Sequence, residues 1–518
     1  MSFFKKHKRK LPKMPKAENI NKEESSPNAE KENNKLVKDW ENELSKSNDY
    51  KKTFYFNQKS GKKFTFTYIP TLIEEKVLDN NALPNLLEDD FYQISDVKKL
   101  LPIADVEVST NKDDIPIKLL QGYVLVTLEG DRSGFAFFSA QKAVVRSVSA
   151  PEIEFSVIGP KEAFVESIGQ NMNLIRKRLP IEELIAEEFT VGKLSKTKVN
   201  VIYIDGITNE QIVNTVKQRI NDIEKDEIAD SSYFTQIISD NGHSPFPQLL
   251  DTERPDRVAS SLAEGKVAIL VDGSPHALLG PTTLPEFFNS FEDYYINWIL
   301  ASFIRLIRLF AVIFSIMITP IYVAIVTHHY ELIPKDLLVT LVTSRRVVPF
   351  PPILEALFLE VAIELLREAG SRLPTKVGQT IGIVGGIVLG TASVEAGLTS
   401  NVLLIFVALS ALASFTTPVY QMSNTIRILR FPFLFMAELW GLLGITIAFC
   451  FIITHLLRLT SLGQPFMEPV FPLRVNDFKD ALIRLPFQNQ AKRPIFLRTK
   501  DSTRFSSQKA HKKKDIDE

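Results

Sequence analysis

The pattern of apolar positions divides the chain at about Phe291. Before it, apolar residues alternate with polar ones or recur at helical spacing in short runs. After it, they form runs long enough to cross a bilayer. Alternation predicts strands at Phe64–Ile69 (FTFTYI), Tyr123–Leu128 (YVLVTL), Gly134–Phe138 and Val199–Ile204. Ile212, Val213, Val216, Ile220 and Ile223 share one face of a helix expected from Asn209 to Ile223. Another helix is expected to start at Pro160 and run to Leu179, with a basic end that suits the helix dipole. In that end, Arg176-Lys177-Arg178 reads as a solvated cluster. The loop Ser244–Asp256 closes on a helix start at Pro255, with Thr252 or Glu253 as its cap.

An internal repeat organises this part. Leu119-Leu-Gln-Gly122-Tyr-Val124, five residues and Gly130 reappear as Leu262-Ala-Glu-Gly265-Lys-Val267, five residues and Gly273. Glu129 and Asp272 occupy matching places. The physical unit is a helix end, a glycine cap, a strand, an acid-Gly turn and a return strand. It implies an α/β soluble N-terminal region of two related subdomains, 51–165 and 166–291, ahead of an α-helical multi-pass membrane domain, 292–457. Residues 1–50 are polar and expected to be disordered, and 458–518 form a basic C-terminal tail.

Past Phe291, Asp293-Tyr294-Tyr295 and Trp298 make an aromatic shoulder of the bilayer-interface type. Arg305 and Arg308 precede an uncharged run, Leu309–Val326, which as a helix spans about 27 Å, enough for the hydrocarbon core. Ile353–Glu368 is apolar yet carries Glu355, Glu360, Glu364, Arg367 and Glu368. Val377–Val394 has no charge and has glycines at 378, 382, 386 and 390. Val402–Phe415 and roughly Phe431–Leu457 complete four to six helical segments. Five full crossings would leave the basic tail outside, against the positive-inside rule. A broken or re-entrant pair between Leu332 and Ala369 would restore an even count, which is the preferred topology.

Charge and composition narrow the function. Basic and acidic residues balance at 61 each, so no global basic field points to nucleic acid. One cysteine, Cys450, forms no intramolecular disulfide and no Cys-rich zinc site. The basic start of the chain is followed by no apolar core, so it is not expected to act as a signal peptide, though it suits anionic lipid. Phosphate-loop, dinucleotide, metalloprotease and serine-hydrolase motifs are missing, so we expect no enzyme, no catalytic residue, no cofactor and no metal. His328-His329 reads as a solvated pair.

What chemistry the chain offers lies in the charged membrane segment. On a helical wheel, Glu360, Glu364, Arg367 and Glu368 fall within an arc of about 100°, with Glu355 nearly opposite. Leu354, Phe358, Val361, Leu365 and Leu366 hold the apolar side. Ionisable groups in a membrane cost several kcal/mol unless paired or wetted. Three readings stand open: a water-filled pore between subunits, structural pairs such as Glu364–Arg367 and Glu368–Arg372, or a helix lying in the interface. Gly378, Gly382, Gly386 and Gly390 form one ridge suited to close helix packing.

Several stretches together resemble the A subunits of the GerA-type spore germinant receptors. They include Gly159-Pro-Lys-Glu-Ala-Phe, Asn173-Leu-Ile-Arg-Lys-Arg178, Ser244-Pro-Phe-Pro-Gln, Thr252-Glu-Arg-Pro-Asp256 and Val271-Asp-Gly-Ser-Pro275. Pro349-Phe-Pro-Pro-Ile-Leu-Glu-Ala356, Ile363–Pro374, Gly378-Gln-Thr-Ile-Gly382 and Ser414-Phe-Thr-Thr-Pro418 extend the series over roughly residues 120–490. The region before about residue 115 departs from the pattern, as does Ile158 where an Arg is usual. The resemblance implies a spore inner-membrane protein with its N-terminal domain on the cytoplasmic (spore core) side. It also implies a transporter-like B subunit and a lipoprotein C subunit as partners, and ion release through a homo-oligomeric channel. By position, Ile353–Glu368 then matches the family's candidate pore region, with Glu360, Glu364, Arg367 and Glu368 as the candidate ion path. The alternatives are a secondary transporter, which predicts inverted repeats in the membrane half, and a membrane-anchored scaffold.

Overall fold

The structure, a computed structural model, describes residues 44–131, 134–141, 151, 154, 156–372, 385–386 and 390–505. Its N-terminal part holds two antiparallel sheets. β1 (Lys51–Phe56), β2 (Lys63–Tyr68), β3 (Val106–Ser109), β4 (Tyr123–Leu128) and β5 (Phe135–Ser139) lie in the order β1-β2-β4-β5-β3. β6 (Leu184–Val191), β7 (Thr197–Ile204), β8 (Leu250–Thr252), β9 (Val267–Val271) and β10 (Ala277–Gly280) lie in the order β6-β7-β9-β10-β8, the same topology again. Five helices of seven residues or more pack here, α1 (Asp114–Leu120), α2 (Ile168–Arg178), α3 (Glu210–Asn221), α4 (Ser231–Ile238) and α5 (Pro255–Glu264). Each sheet packs a hydrophobic core against both of its faces. Val124 and Val126 pack with Phe64, Phe66 and Phe138 on one side of the first sheet, while Leu125 and Phe137 meet Leu119 and Leu120 of α1 on the other.

The repeat seen in sequence is the matching quarter of each subdomain. α1 ends at Gly122 (φ 87°) and leads to β4, a turn at Gly130 (φ 82°) and β5. α5 ends at Gly265 (φ 103°) and leads to β9, a turn at Gly273 (φ 86°) and β10. α3 takes its cap from Asn209, whose side chain accepts from Gln211 N, and buries Ile212, Val213, Val216 and Ile220 as its spacing demands.

Two local expectations fail, each for a tertiary reason. Residues 160–167 are not helical. The Asn171 side chain accepts from Val165 N (2.8 Å) and donates to Val165 O, and Phe164 N donates to Glu253 O (2.8 Å), so α2 begins only at Ile168. Arg176 is not a solvated helix end but 1% exposed, its guanidinium gripping both oxygens of Asp49 (2.8 and 3.0 Å). At α5, Pro255 takes the first turn as expected, but Arg254 holds the cap position, and Thr252 Oγ1 accepts from its N–H.

The C-terminal part is helical: α6 (Trp298–His328), α7 (Lys335–Arg345), α8 (Pro352–Ser371), α9 (Asn401–Ser414) and α10 (Tyr420–Arg458). α6 and α10 are long and apolar enough to cross a membrane. α10 breaks at Gly441 (φ 59°, ψ −137°). Thr425 and His455, near its two ends, both reach one loop: the first bonds Pro245 O, the second lies 2.8 Å from Ser244 Oγ. The 30 residue steps from one to the other would span about 45 Å as one straight helix, so the arms double back. Their turn sits at the end of α6, where His328 Nε2 meets Glu438 O at 2.6 Å. A Cβ at Gly441 would lie 2.7 Å from His329 Nε2.

That break changes the topology drawn from sequence. After α10 the chain returns to the second subdomain: Leu462 enters its core and Phe466 packs on Phe287. Lys500 N then donates to Ile207 O, and Arg504 pairs with Glu264. Residues 459–505 are therefore a strap on the N-terminal part rather than a free tail. The helical bundle is left on the side where it was entered, which requires an even number of traverses. One reversal comes at Gly441, inside the segment that reads as a single helix from sequence, while α7 and α8 are two separate helices between Lys335 and Ser371.

Candidate functional site

α8 is set by Pro351 at its cap and Pro352 in its first turn. Its acids do not share one environment. Glu355 is buried; it accepts from Arg345 (3.0 and 3.2 Å) and from Ser400 N (3.0 Å), which ties α7 and the start of α9 to α8. Glu360, 1% exposed, accepts from Arg430 of α10 and from Thr319 of α6 (3.1 Å). Arg430 also donates to Ser315 (3.0 Å). Removing one member of such a buried pair typically costs about 3–5 kcal/mol, because the other is left uncompensated.

Farther along, the charges come to the surface. Glu364 lies 3.6 Å from both Arg367 Nη1 and Arg427 Nε. Arg367 stacks on the Phe415 ring at 4.6 Å, and its Nε and Nη1, like Arg427 Nε, have no hydrogen-bond partner among the described residues. Glu368 pairs with Arg372 (2.5 Å) in the open. The arc Glu360, Glu364, Arg367 and Glu368 thus runs from the bundle interior to its surface, and the two intrahelical pairs named from sequence are present. The other face, with Leu354, Phe358, Val361 and Leu365, is exposed.

Of the glycine ridge, Gly378 and Gly382 lie outside the described residues. A Cβ on Gly386 would meet nothing, and one on Gly390 would sit in ordinary contact with Leu404 (3.6 Å). The close approach to α8 occurs at neighbouring Gly385, where a Cβ would lie 2.6 Å from Leu366 Cδ2. Sequence reasoning also missed the partners of Glu360. Their one signal is Ser315 and Thr319, two hydroxyls one helical turn apart within an uncharged run.

A second polar cluster joins the N-terminal part to the helices. Arg254 bonds Asp256 bidentately (2.7 and 3.1 Å), reaches Ser156 and Pro160 O in the linker between subdomains, and stacks on Phe291 at 5.8 Å. Burial opposes the Asp256 carboxylate, but hydrogen bonds from Arg254 and Tyr295 (2.6 Å) prevail and hold it below the usual range. Burial and that same bond push Tyr295 up to about 12. Just beyond, Asp293 neutralises Arg305 (3.0 Å) and Arg308 (3.1 Å), and Arg484 of the strap donates to the Asp293 and Ile296 carbonyls. The segment that enters α6 is thereby bound to the segment that leaves α10. Nothing in this second cluster arranges a nucleophile with a base, so its chemistry is structural.

Comparison with known proteins gives the family. The family described as Bacillus/Clostridium GerA spore germination protein matches residues 38–496. Spore germination protein GerQA of Bacillus cereus is 50% identical over 86% of this chain and 90% of that protein. Spore germination protein A1 of Bacillus subtilis (strain 168) is 41% identical over 84% of this chain and 90% of that protein. The crystal structure of the N-terminal domain of the A subunit of the Bacillus megaterium spore germinant receptor GerK3 is 28% identical, covering 48% of this chain and 94% of that one at a TM-score of 0.35. With nine-tenths of the chain inside the family match, and relatives this similar along nearly their whole length, the chain belongs to the GerA family of spore germination proteins.

Proposed function

We propose that this protein is the membrane subunit of a nutrient-germinant receptor in the spore inner membrane, and that it conducts ions as a homo-oligomer gated by a transporter-like B subunit and a lipoprotein C subunit. Its N-terminal domain lies on the cytoplasmic, spore-core side. The observation that carries the channel reading is the cluster of Glu364, Arg367 and Arg427 at the surface of an otherwise apolar bundle. Guanidinium N–H groups that face Glu364 at 3.6 Å without a hydrogen bond are costly in an apolar setting. Water in a pore, or a neighbouring subunit, removes that cost. Glu360 deeper in the bundle then holds the helix that carries the path.

The test is cation flux through purified protein in liposomes. Glu364→Gln is expected to change flux or its cation preference several-fold while leaving the fold intact. Glu360→Gln is expected to lower thermal stability in detergent as well. A monomer that conducts nothing, or wild-type ion release from Glu364→Gln, would reject the channel.

A further inference from the structure

The strap and the second subdomain enclose a cleft of about 760 Å³ that the candidate ion path does not use. That volume lies in the range of small-molecule sites. One wall is α5 and the segment from Thr283 to Tyr294, which leads into α6; the other is the strap from Asp477 to Arg504. The two walls are bound to each other beside the cleft, where Tyr294 Oη donates to Asp480 (2.6 Å) and Asn289 to the Asp480 and Ala481 carbonyls.

The charge of the cleft is unbalanced although the chain's is not. Seven basic and four acidic side chains line it, against a formal net charge of zero overall. Every one of the acids already has a donor. Glu264 is held by Arg504 (2.8 Å), Glu286 by Lys266, Asp480 by Tyr294 and Arg305, and Asp477 by Ile495 N (3.0 Å). Burial pushes the Asp477 and Asp480 carboxyls above the usual range. On the basic side there is a surplus. Lys479, Lys492 and Arg498 make no ion pair among the described residues, and Arg504 Nε is buried without a hydrogen-bond partner among them. Phe291 and Phe496 add ring surface to the lining.

We propose that this cleft binds a small organic anion, a carboxylate or phosphate attached to an apolar or aromatic body. The surplus cations take the acidic group and the rings take the body. Because the walls are the way into the first membrane helix and the way out of the last, an occupant bridges the two ends of the helical bundle.

The test uses the full chain in detergent, isothermal titration and amide hydrogen exchange. The probes are benzoate, inorganic phosphate and benzyl alcohol. Benzoate is expected to bind saturably and to protect 478–498 from exchange, while benzyl alcohol does not. Lys492→Ala/Arg498→Ala removes two exposed cations that make no ion pair among the described residues, and should weaken benzoate roughly tenfold. Arg504→Gln is a second, inner variant expected to act in the same direction. Equal binding of benzyl alcohol, or benzoate binding untouched by both variants, overturns the proposal. Phosphate binding with benzoate excluded overturns its organic-body part and leaves an inorganic anion site.

Discussion

The two subdomains share a strand order and a helix-Gly-strand-turn-strand unit, yet they treat the start of that helix in opposite ways. In the first, the residues matching Arg254, Asp256 and Arg257 are Asn111, Asp113 and Asp114, which lie at the surface or half-buried. In the second all three are buried and engaged: Arg254 and Asp256 with the linker and Tyr295, Arg257 with Glu154 (2.6 Å). The apolar positions correspond, Ile115 with Val258, Leu119 with Leu262 and Val126 with Ile269, all within the cores. What repeats is therefore the scaffold. What does not repeat is the set of polar contacts that bind the second copy to the linker, to the entry of α6 and to the strap.

The sharpest way to break this contrast is to cut matching positions in the two copies. Arg254→Ala leaves Asp256 buried with Tyr295 as its remaining side-chain donor, and is expected to cost about 3–5 kcal/mol. Asn111→Ala should stay within about 0.5 kcal/mol. Thermal unfolding of the full chain in detergent measures both. Similar losses from the two variants would mean that the second copy's junction bears no more load than the first copy's surface.

The same contrast explains what could be read in advance. The repeat, the strands around Phe64, Tyr123 and Val199, and the helix capped by Asn209 rest on local spacing and turn chemistry, so they were visible in one dimension. The cluster around Arg254 was visible only as a polar loop, because its partners Ser156, Phe291 and Tyr295 are 37 to 98 positions away. The break at Gly441 is hidden in the sequence for a different reason. A helical hairpin with a one-residue break keeps the apolar composition of one long helix, and only the shared contact of Thr425 and His455 with one loop betrays it. On α8 a helical wheel puts Glu360, Glu364, Arg367 and Glu368 on one arc, but burial of Glu360 beside exposure of Glu368 depends on where Arg430 lies.

Two acids near the junction give the comparison a pH signature. Burial raises Asp251 on β8 to about 6, a shift that nearby His276 opposes. Its folded-state pKa lies above the unfolded value, so its contribution is fully present below about pH 4 and is lost as pH rises through about 6. The amount is on the order of 2–3 kcal/mol. Asp256 has the opposite sign, since its pKa is depressed: its contribution is present above the unfolded value and is lost as pH falls through the folded one. Asp251→Asn should flatten the fall in melting temperature between about pH 4 and 6, and Asp256→Asn the fall at more acidic pH. No change in either limb would place the acid-sensitive contacts outside the second subdomain.

The smallest effect separates scaffold from strap most cleanly. Gly122 and Gly265 end the two repeated helices with positive φ, so Ala at either site forces a left-handed conformation at a cost of roughly 1–3 kcal/mol. Their surroundings differ. A Cβ at Gly122 would lie 2.9 Å from Leu72 O, inside the first subdomain, whereas one at Gly265 would lie 2.4 Å from Thr499 Cγ2, a side chain of the strap. Gly122→Ala should therefore lower stability with no change in exchange at 498–504. Gly265→Ala, at similar or smaller cost, should raise exchange there, because the strap yields more readily than a core backbone. If 498–504 responds equally to both, the strap is coupled to the whole N-terminal region rather than docked on its second half.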